Sequence, residues 1–265
     1  MTTQEWLLHA NALLSGSETP SIDTAVLLCD ELDKNKAWVF AHFEDELSDY
    51  SVRKLNAQVK RRSLGEPLAY IRGKVEFYGR EFYVDKYVLT PRPESEAIID
   101  LAKKLMTKKR PNVADIGSGS GALGICVALE IKESRLTCID IDEDTLKVAK
   151  RNAEKHDVKA KFCVSDLLNN SGIYDLLLCN LPYVPNNYEI NLSASHEPAH
   201  ALFGGEDGLD LYRKLFKQLA GDSRSTPLVL TESLPFQHES LADVAKECGY
   251  EQIGEQDLVQ AFSKV

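Results

Sequence analysis

The sequence predicts a doubly wound α/β domain preceded by a small helical domain. From residue 91 onward, apolar runs typical of buried strands alternate with amphipathic segments of helical period. This alternation is typical of a mainly parallel sheet with helices on both faces. A glycine-rich turn follows the first of these strands, and such turns bind ligands at the carboxyl ends of parallel strands. We therefore expect a ligand site at that edge of the sheet.

The helical domain is predicted to span residues 1–72. Apolar residues recur at helical spacing between Trp6 and Leu14, and Ser21 is expected to cap the next helix. Two further amphipathic stretches come before Gly65-Glu66-Pro67, which we expect to close the domain.

Residues 73–90 are predicted to be a β-hairpin linker, and residues 91–265 to be the α/β domain. The linker contains two aromatic-rich runs about a turn at Gly79-Arg80. In the α/β domain, a helix follows the prolines at 91 and 93, and the stretch 250–265 is expected to end the sheet as a strand-like segment.

The net charge is −10, from 31 basic and 41 acidic side chains. Residues 1–110 hold equal numbers of both, so the acidic excess lies in the part with the glycine turn. Nucleic-acid binders gain much of their affinity from clustered Lys and Arg, so we expect no direct nucleic-acid partner. The basic clusters at Lys60-Arg61-Arg62 and from Lys103 to Arg110 are interpreted as solvated helix faces.

The six cysteines are scattered, with no CxxC pair and no adjacent histidine that would indicate zinc. No segment resembles a signal peptide or approaches the roughly 18 consecutive apolar residues that a membrane span needs. We expect a reduced, cytoplasmic protein that is monomeric, binds no metal and contacts no membrane. His196 and His200 flank Glu197 and are expected to be surface histidines.

The first strand of the α/β domain runs from Asp115 into a turn with glycines at alternate positions. Glycines there allow a tight turn and a close approach of the backbone to a ligand. Gly119 to Gly124 also match the dinucleotide pattern GxGxxG, which is a weak signal by itself. Asp140 ends the second strand, where its carboxylate could accept both hydroxyls of a ribose, as NAD and S-adenosylmethionine equally require.

The residues after the third and fourth strands favour S-adenosylmethionine. Asp166 and Leu167 stand where the edge and face of an adenine could lie. The tetrapeptide Asn180 to Tyr183 has no use in a nicotinamide enzyme, and no Ser-Tyr-Lys or histidine constellation for hydride transfer is present. The alternative for Asp140 and Asp166 is helix capping. The predicted cofactor-binding residues are Gly117, Ser118, Gly119, Ser120, Gly121, Asp140, Asp166, Leu167 and Asn180.

The tetrapeptide Asn-Leu-Pro-Tyr suits methylation of an amide nitrogen. That nitrogen is a poor nucleophile because its lone pair is delocalised, so the enzyme must align it and hold both of its N–H groups. Asn180 offers a side-chain carbonyl and Leu181 a backbone carbonyl, while Pro182 stiffens the turn and Tyr183 supplies a flat wall. The alternative is an ordinary strand-ending turn. The residues predicted to be catalytic and to bind substrate are Asn180, Leu181, Pro182 and Tyr183.

The chain resembles the release factor glutamine methyltransferases, the HemK-type enzymes, nearly from end to end. The motifs that carry the resemblance are Gly65 to Ile71 with Gly73, Glu76 to Gly79, Val88 to Glu94, Asp115 to Gly121, Asp140, Asn180 to Tyr183, Glu197-Pro198 and Ala201 to Leu209.

The resemblance implies a Rossmann-like class I methyltransferase domain that uses S-adenosylmethionine. It implies N5-methylation of the glutamine in the Gly-Gly-Gln motif of peptide chain release factors, and contact between the helical domain and that substrate. It further implies that the segment with Arg92 and Glu94 covers the cofactor and lines the substrate channel. By the same resemblance Glu197 belongs to the substrate loop, so Arg92 and Glu197 are expected to bind substrate. Without the resemblance, Glu197 would be an ordinary turn carboxylate, and Glu94, two residues after Arg92, would interact favourably with the N-terminal dipole of the following helix.

This chain departs from the family pattern at two places. Leu181 replaces the first proline of the usual Asn-Pro-Pro-Tyr, which leaves the backbone carbonyl but removes some rigidity. Asn-Leu-Pro-Tyr is similar to the version in ribosomal RNA adenine dimethyltransferases, but those carry their helical domain after the core rather than before it. In the C-terminal part, Asp257 to Gln260 lack the family's usual glycine, and Leu234 stands where Glu232-x-Gly would be expected. We therefore expect the C-terminal strands to differ locally or the activity to be weaker.

Three alternatives to release factor methylation remain. They are glutamine methylation of a ribosomal protein, adenine N6-methylation of ribosomal RNA, and a catalytically silent binding module. The RNA alternative would need a basic cleft beside Asn180, and the following sequence NNYEINLSASHEPAH provides none. Intact Asp140 and Asn180 oppose the silent module.

Overall fold

The chain divides into two compact units. The first comprises Met1–Gly73 with Ile190–His196, and the second comprises Lys74–Glu189 with Glu197–Val265. None of the described helices is both long and apolar enough to cross a bilayer. The computed structural model describes residues 1–169, 172–222 and 227–265.

The first unit is helical. Side-chain caps start three of its helices: Thr2 begins the first in a reciprocal capping box with Glu5, Asn35 begins the third, and Ser48 begins the fourth. Trp6 is fully buried in the core of the unit and donates its indole N–H to Asn56 at 2.9 Å. The helices are α1 (Thr3–Leu13), α2 (Pro20–Leu32), α3 (Lys36–Ala41), α4 (Asp49–Ser63) and α5 (Leu68–Arg72).

The predicted cap of α2 is wrong. The helix begins at Pro20, and Thr19 rather than Ser21 precedes it. Proline is favoured at the first helical position because its φ is already helical and its missing N–H is not needed there. The hydroxyl of Thr19 donates instead to Asp23, whose carboxylate also pairs with Arg62.

The second unit opens with the predicted hairpin, formed by β1 (Lys74–Phe77) and β2 (Arg80–Tyr83). Its turn lies one residue earlier than predicted, at Tyr78 and Gly79, which have φ of 49° and 68°. Left-handed conformation at both central residues matches the twist of a two-residue hairpin.

A parallel sheet with one antiparallel edge forms the centre of the second unit. Among the described residues its strand order is β5-β4-β3-β6-β7-β9-β8, and β3 to β7 run parallel. The chain order reverses between β3 and β6, which is where ligands bind in such sheets. The strands are β3 (Asn112–Ile116), β4 (Arg135–Asp140), β5 (Ala160–Val164), β6 (Leu176–Cys179), β7 (Leu228–Glu232), β8 (Tyr250–Gln256) and β9 (Val259–Lys264).

Helices alternate with these strands, as predicted. A short 3-10 turn, Pro93–Ser95, leads into the first of them. They are α6 (Glu96–Leu105), α7 (Ala122–Glu130), α8 (Glu143–Lys155), α9 (Ala199–Leu202), α10 (Asp210–Gly221) and α11 (His238–Glu247).

The C-terminal stretch forms two strands instead of the single strand-like segment expected. Asp257, with φ of 53°, turns the chain between β8 and β9. The second of them, β9, inserts antiparallel between β7 and β8 and is buried from Val259 to Phe262. An antiparallel pair needs only a tight turn, whereas a parallel strand would need a longer crossover.

Asn152, on α8, ties the hairpin to the glycine turn. Its side chain accepts the N–H of Tyr83 at 2.7 Å and donates to the carbonyl oxygens of Tyr83 and Ser120, each at 2.9 Å. Because Asn152 is fully buried, removing its side chain leaves these backbone groups without their partner in the interior of the unit.

Asn152→Ala is expected to lower the free energy of unfolding by about 2–4 kcal/mol, since buried backbone groups lose their partners. Urea unfolding followed by circular dichroism measures the change. Lys150→Ala, at an exposed position of the same helix, is the control and should stay within about 0.5 kcal/mol of the parent protein. Equal midpoints for the two variants would contradict the assigned role.

Candidate active site

A cavity of about 310 Å³ opens at the carboxyl ends of the parallel strands, in the second unit. The turns after β3, β4, β5 and β6 form its wall together with Thr90 and Arg92. Gly121, Tyr183 and Glu197 are predicted site residues that lie outside the lining. The predicted residues that line it are Arg92, Gly117, Ser118, Gly119, Ser120, Asp140, Asp166, Leu167, Asn180, Leu181 and Pro182.

The glycine turn is held by backbone hydrogen bonds to the neighbouring strand. The N–H groups of Gly117 and Ser118 donate to the carbonyl of Ile139 at 2.8 and 3.0 Å. Gly117 and Gly119 have φ of 67° and 53°, which side chains with a Cβ adopt reluctantly. The turn therefore presents bare backbone to the cavity.

Asp140 is fixed by this turn and by the start of α8. Its two carboxylate oxygens accept the N–H groups of Gly119 at 3.1 Å and Asp142 at 3.2 Å. Burial raises the pKa of Asp140, and these backbone bonds oppose the rise. Asp142, and not Asp140, caps α8, so the capping alternative does not describe Asp140.

Asp166 and Leu167 occupy the turn after β5. The carboxylate of Asp166 pairs with Lys214, while Leu167 is buried and has a left-handed φ of 55°. The two side chains thus place a charged and an apolar group at the same end of the cavity. Asp166 precedes no described helix and is not a cap.

Asp115 lies beneath the glycine turn. Burial raises its pKa to about 7, and the N–H of Gly124, which it accepts at 2.9 Å, opposes the rise. A Cβ at Gly124 would lie 2.8 Å from the same carboxylate oxygen. The last glycine of the GxGxxG pattern is therefore required by the packing of α7 against β3.

The loop Asn180 to Tyr183 follows β6. The side-chain nitrogen Nδ2 of Asn180 donates to the hydroxyl of Ser95 at 2.8 Å, so its oxygen Oδ1 is the atom left for other partners. Leu181 is buried, and its N–H donates to the hydroxyl of Tyr212 at 3.4 Å. In the described part of the chain, no hydrogen bond reaches the carbonyl oxygen of Leu181.

Tyr183 ends the loop and points its hydroxyl away from the cavity lining. The hydroxyl donates to the buried carboxylate of Glu232 at 2.9 Å. Burial and the nearby Glu232 raise the pKa of Tyr183, so the hydroxyl stays protonated. Burial also raises the pKa of Glu232, although the hydroxyls of Ser95 and Tyr183 and the amide of Asn180 nearby counteract the rise.

The glycine-rich segment 204–208 packs against the backbone of the loop Asn180 to Tyr183. A Cβ at Gly204 would overlap the carbonyl oxygen of Pro182, and one at Gly208 would overlap that of Tyr183. Gln237 then donates from one nitrogen to the carbonyls of Tyr183 and Asp207 at 2.8 and 2.7 Å. The Gly-Gly-x-Asp-Gly-Leu motif thus allows a second backbone to lie directly against the loop.

Glu197 holds one wall of the cavity together. Its carboxylate accepts the N–H of Thr90 at 3.2 Å and pairs with Arg92, whose side chain is 41% exposed. Glu197 itself is buried, so these internal bonds engage both of its oxygens. Of these two predicted substrate-binding residues, Arg92 lines the cavity, and Glu197 anchors Arg92 through the ion pair.

Sequence reasoning missed four residues around the loop, namely Ser95, Tyr212, Glu232 in its buried role, and Gln237. Ser95 directly follows the Pro-Arg-Pro-Glu motif, which was a usable signal. The other three come from β7, α10 and the turn before α11, and no local pattern links them to Asn180.

Two family models match successive segments of the chain. Residues 5–73 match the PrmC N-terminal domain, and residues 95–197 match the methyltransferase small domain. The release factor glutamine methyltransferase of Koribacter versatilis is 34% identical over 228 residues, which cover 83% of this chain and 81% of that protein. The chain belongs to the release factor glutamine methyltransferases. A member of the family from Coxiella burnetii is 30% identical and covers 96% of this chain and 93% of its own length.

Solved structures agree with this family at the level of the fold. The T. thermophilus 16S rRNA N2 G1207 methyltransferase, solved with AdoMet and guanosine, has a TM-score of 0.55 at 17% identity and covers 72% of this chain and 49% of its own. A methyltransferase from Pyrococcus furiosus has a TM-score of 0.51 at 16% identity and covers 82% and 98%. This glutamine methyltransferase therefore has the methyltransferase fold predicted from its sequence.

In this member of the release factor glutamine methyltransferases, Tyr212 joins the ends of two strands. Its hydroxyl lies 3.0 Å from the carbonyl oxygen of Cys179 and 2.6 Å from that of Glu232. Tyr212→Phe is expected to lower the free energy of unfolding by about 1–3 kcal/mol, because buried carbonyls lose their donor.

Chemical denaturation measures this loss, with Tyr50→Phe as a matched control at a position that is 66% exposed. The control should remain within about 0.5 kcal/mol of the parent. A Tyr212→Phe variant as stable as the control would show that the hydroxyl does not join the strands.

Proposed function

We propose that this chain transfers a methyl group from S-adenosylmethionine to the side-chain amide nitrogen of the glutamine in the Gly-Gly-Gln motif of peptide chain release factors. One observation carries the proposal. Within the described residues, no hydrogen bond reaches Oδ1 of Asn180 or the carbonyl oxygen of Leu181, two acceptors on residues that line the cavity. A primary amide has two N–H groups, which match two acceptors on one loop.

Three features of the cavity support S-adenosylmethionine as its ligand. Among the described residues, the hydroxyls of Thr90 and Ser118 are buried at its wall without a hydrogen-bond partner, as expected of groups that bind a ligand. The glycine turn leaves room for close approach, and Asp140 is held where it can accept ribose hydroxyls. When bound, S-adenosylmethionine supplies a methyl group activated by its sulfonium.

The loop performs the alignment that the reaction needs. Asn180 and Leu181 accept the two N–H groups of the glutamine and keep its nitrogen at a fixed angle. The same acceptors favour the positive charge that develops on the nitrogen as it is methylated. Methylation makes the remaining protons more acidic, so one is lost to water without a histidine or lysine base.

The family match supports a release factor as the protein substrate, and the helical unit as the part that contacts it. The charge of the chain opposes the RNA alternative, because the acidic excess lies in the second part of the sequence. No separate observation favours a ribosomal protein.

The decisive experiment is transfer of labelled methyl from S-adenosylmethionine to a purified release factor, beside the same factor with Gln→Ala in its Gly-Gly-Gln motif. Label on the unmodified factor alone is the expected result. Equal label on both factors would place the methyl group elsewhere. Label on neither, with cofactor binding intact, would reject the proposal, and ribosomal proteins and ribosomal RNA would then be tested in the same assay.

Asn180→Ala should lower kcat by about 100-fold or more, because an acceptor at the reacting amide is lost. Affinity for S-adenosylmethionine, measured by calorimetry, should stay within about tenfold. The control is Asn187→Ala, an exposed asparagine a few residues along the same segment. Full activity of Asn180→Ala would reject the assigned chemistry.

Asp140→Ala should weaken binding of S-adenosylmethionine by roughly 1.5–3 kcal/mol, the usual contribution of a hydrogen bond to a charged group. Isothermal titration calorimetry measures it. Asp144→Ala, which removes a largely exposed carboxylate paired with Lys147, should bind the cofactor as the parent does. Unchanged affinity in Asp140→Ala would remove this residue from the cofactor site.

A further inference from the structure

Two aromatic side chains lie side by side at the surface of the second unit. The rings of Tyr188 and Phe236 stack with 24° between their planes and 6.5 Å between their centres. Tyr188 is 48% exposed and Phe236 is 64% exposed. A single exposed apolar residue is ordinary, whereas adjoining exposed apolar residues are typical of a surface that binds a partner. We call this pair the aromatic platform.

The aromatic platform lies at the edge of the sheet where the cavity opens. Strands β6 and β7 are parallel, so their carboxyl ends lie at the same edge. Tyr188 follows the loop after β6, and Phe236 lies in the 3-10 turn Pro235–Gln237 after β7. Both rings are therefore carried at the same edge of the sheet as the loop Asn180 to Tyr183.

Backbone and side-chain hydrogen bonds connect the aromatic platform to that loop. Gln237, the residue after Phe236, donates to the carbonyl oxygen of Tyr183 at 2.8 Å. On the other side, the N–H of Tyr188 donates to the carbonyl oxygen of Pro185 at 3.0 Å. The backbone that carries each ring is thus bonded to the loop or to the residues that follow it, so the rings stay beside the loop.

The exposure of the two rings is not explained by a role in the fold. The core aromatics Phe216 and Phe262 are fully buried, whereas Tyr188 and Phe236 keep about half or more of their surface in water. An exposed ring lacks the free energy that its burial would supply. A partner that covers the aromatic platform gains that free energy, and aromatic residues contribute strongly at protein interfaces for this reason.

The substrate named in the proposed function brings two glycines to this place. They directly precede the glutamine, and two extended residues span only about 7 Å, so they pass close to the loop that holds the glutamine amide. Glycine has no Cβ, which lets its peptide planes and Cα hydrogens lie flat against an aromatic face. A side chain directed at the rings would hold the substrate backbone away from them.

We propose that the aromatic platform binds the backbone of the two glycines in the Gly-Gly-Gln motif and selects against side chains at these positions. This inference rests on the proposed function, because the glutamine held by the loop brings the glycines to the rings. Neither Tyr188 nor Phe236 lines the cavity, so the aromatic platform and the cofactor site can be tested separately.

The experiment measures methyl transfer to a purified release factor by Tyr188→Ala, Phe236→Ala and the double variant. The ratio kcat/KM for the factor should fall about tenfold in each single variant, as expected when an aromatic contact is truncated at an interface. Affinity for S-adenosylmethionine, measured by calorimetry, should equal that of the parent. Because both rings are exposed, all three variants should fold, with Tm within about 3 °C of the parent.

Ile253→Ala is the matched control. Ile253 is 51% exposed on β8, which β9 separates from β7, so this variant removes exposed apolar surface away from the loop. It should keep the kcat/KM of the parent. Phe236→Tyr, which retains a ring, should recover most of the activity that Phe236→Ala loses. Size-exclusion chromatography checks another occupant, a second copy of the chain: an oligomer that dissociates in the double variant while kcat/KM stays unchanged would overturn the proposal.

The release factor supplies the other half of the test. Each glycine of its motif is replaced by alanine, and the loss of kcat/KM is compared between the parent enzyme and the double variant. The added methyl group meets the rings only when they are present, so the loss should be at least about fivefold smaller in the double variant. Equal losses in the two enzymes, or parent kcat/KM in the double variant, would overturn the proposal.

Binding without reaction separates failure of this inference from failure of the proposed function. Calorimetry measures the affinity of the release factor for the parent, the double variant and Ile253→Ala, each saturated with S-adenosylhomocysteine. Weaker binding in the double variant alone, without methyl transfer by the parent, would support the aromatic platform and reject the proposed reaction. Methyl transfer by the parent with equal binding by all three would overturn the aromatic platform alone. Absence of binding by the parent would reject both.

Discussion

The structure depends on one constraint, which is that hydrogen bonds from several elements must fix the short loop Asn180 to Tyr183 without engaging two of its oxygens. An amide nitrogen reacts only when it is held at a fixed angle, and two fixed acceptors provide that angle. Tyr212 binds the N–H of Leu181, Gln237 binds the carbonyl of Tyr183, and Ser95 binds the nitrogen of Asn180. Within the described residues, no hydrogen bond reaches Oδ1 of Asn180 or the carbonyl oxygen of Leu181, and both residues line the cavity.

Leu181 shows how this chain holds the loop without the first proline of the family pattern. Proline would fix φ and remove an N–H, whereas leucine keeps the N–H and needs a buried acceptor for it. Tyr212 is that acceptor. The leucine side chain is also buried, and a Cβ at Gly117 would lie 3.2 Å from it, so the loop packs directly on the glycine turn. Packing of the leucine side chain and the hydrogen bond to Tyr212 therefore replace the rigidity that the proline ring would give.

The sequence predicted the features that depend on local pattern. The glycine turn, Asp140 and the Asn180 loop each follow a strand whose apolar run is plain, so the edge where they meet could be predicted from strand order. Glu232 and Tyr212 could not be assigned, because they approach Asn180 only through sheet register and helix packing. The hairpin at the C-terminus was missed because its turn residue, Asp257, lacks the glycine that usually marks such turns.

The helical unit is discontinuous in sequence, and this affects how the protein can be divided or recombined. Ile190–His196 belongs to that unit although it follows the loop in the chain, so the backbone passes between the units at three points. Within the unit, His196 binds the carbonyl of Leu64 at 3.0 Å, and a Cβ at Gly65 would overlap Leu192. A gene fragment that ends at Gly73 would encode an incomplete domain. An evolutionary exchange of the first 73 residues between relatives would likewise separate a domain from one of its own segments, so the two pieces must be inherited as a matched pair.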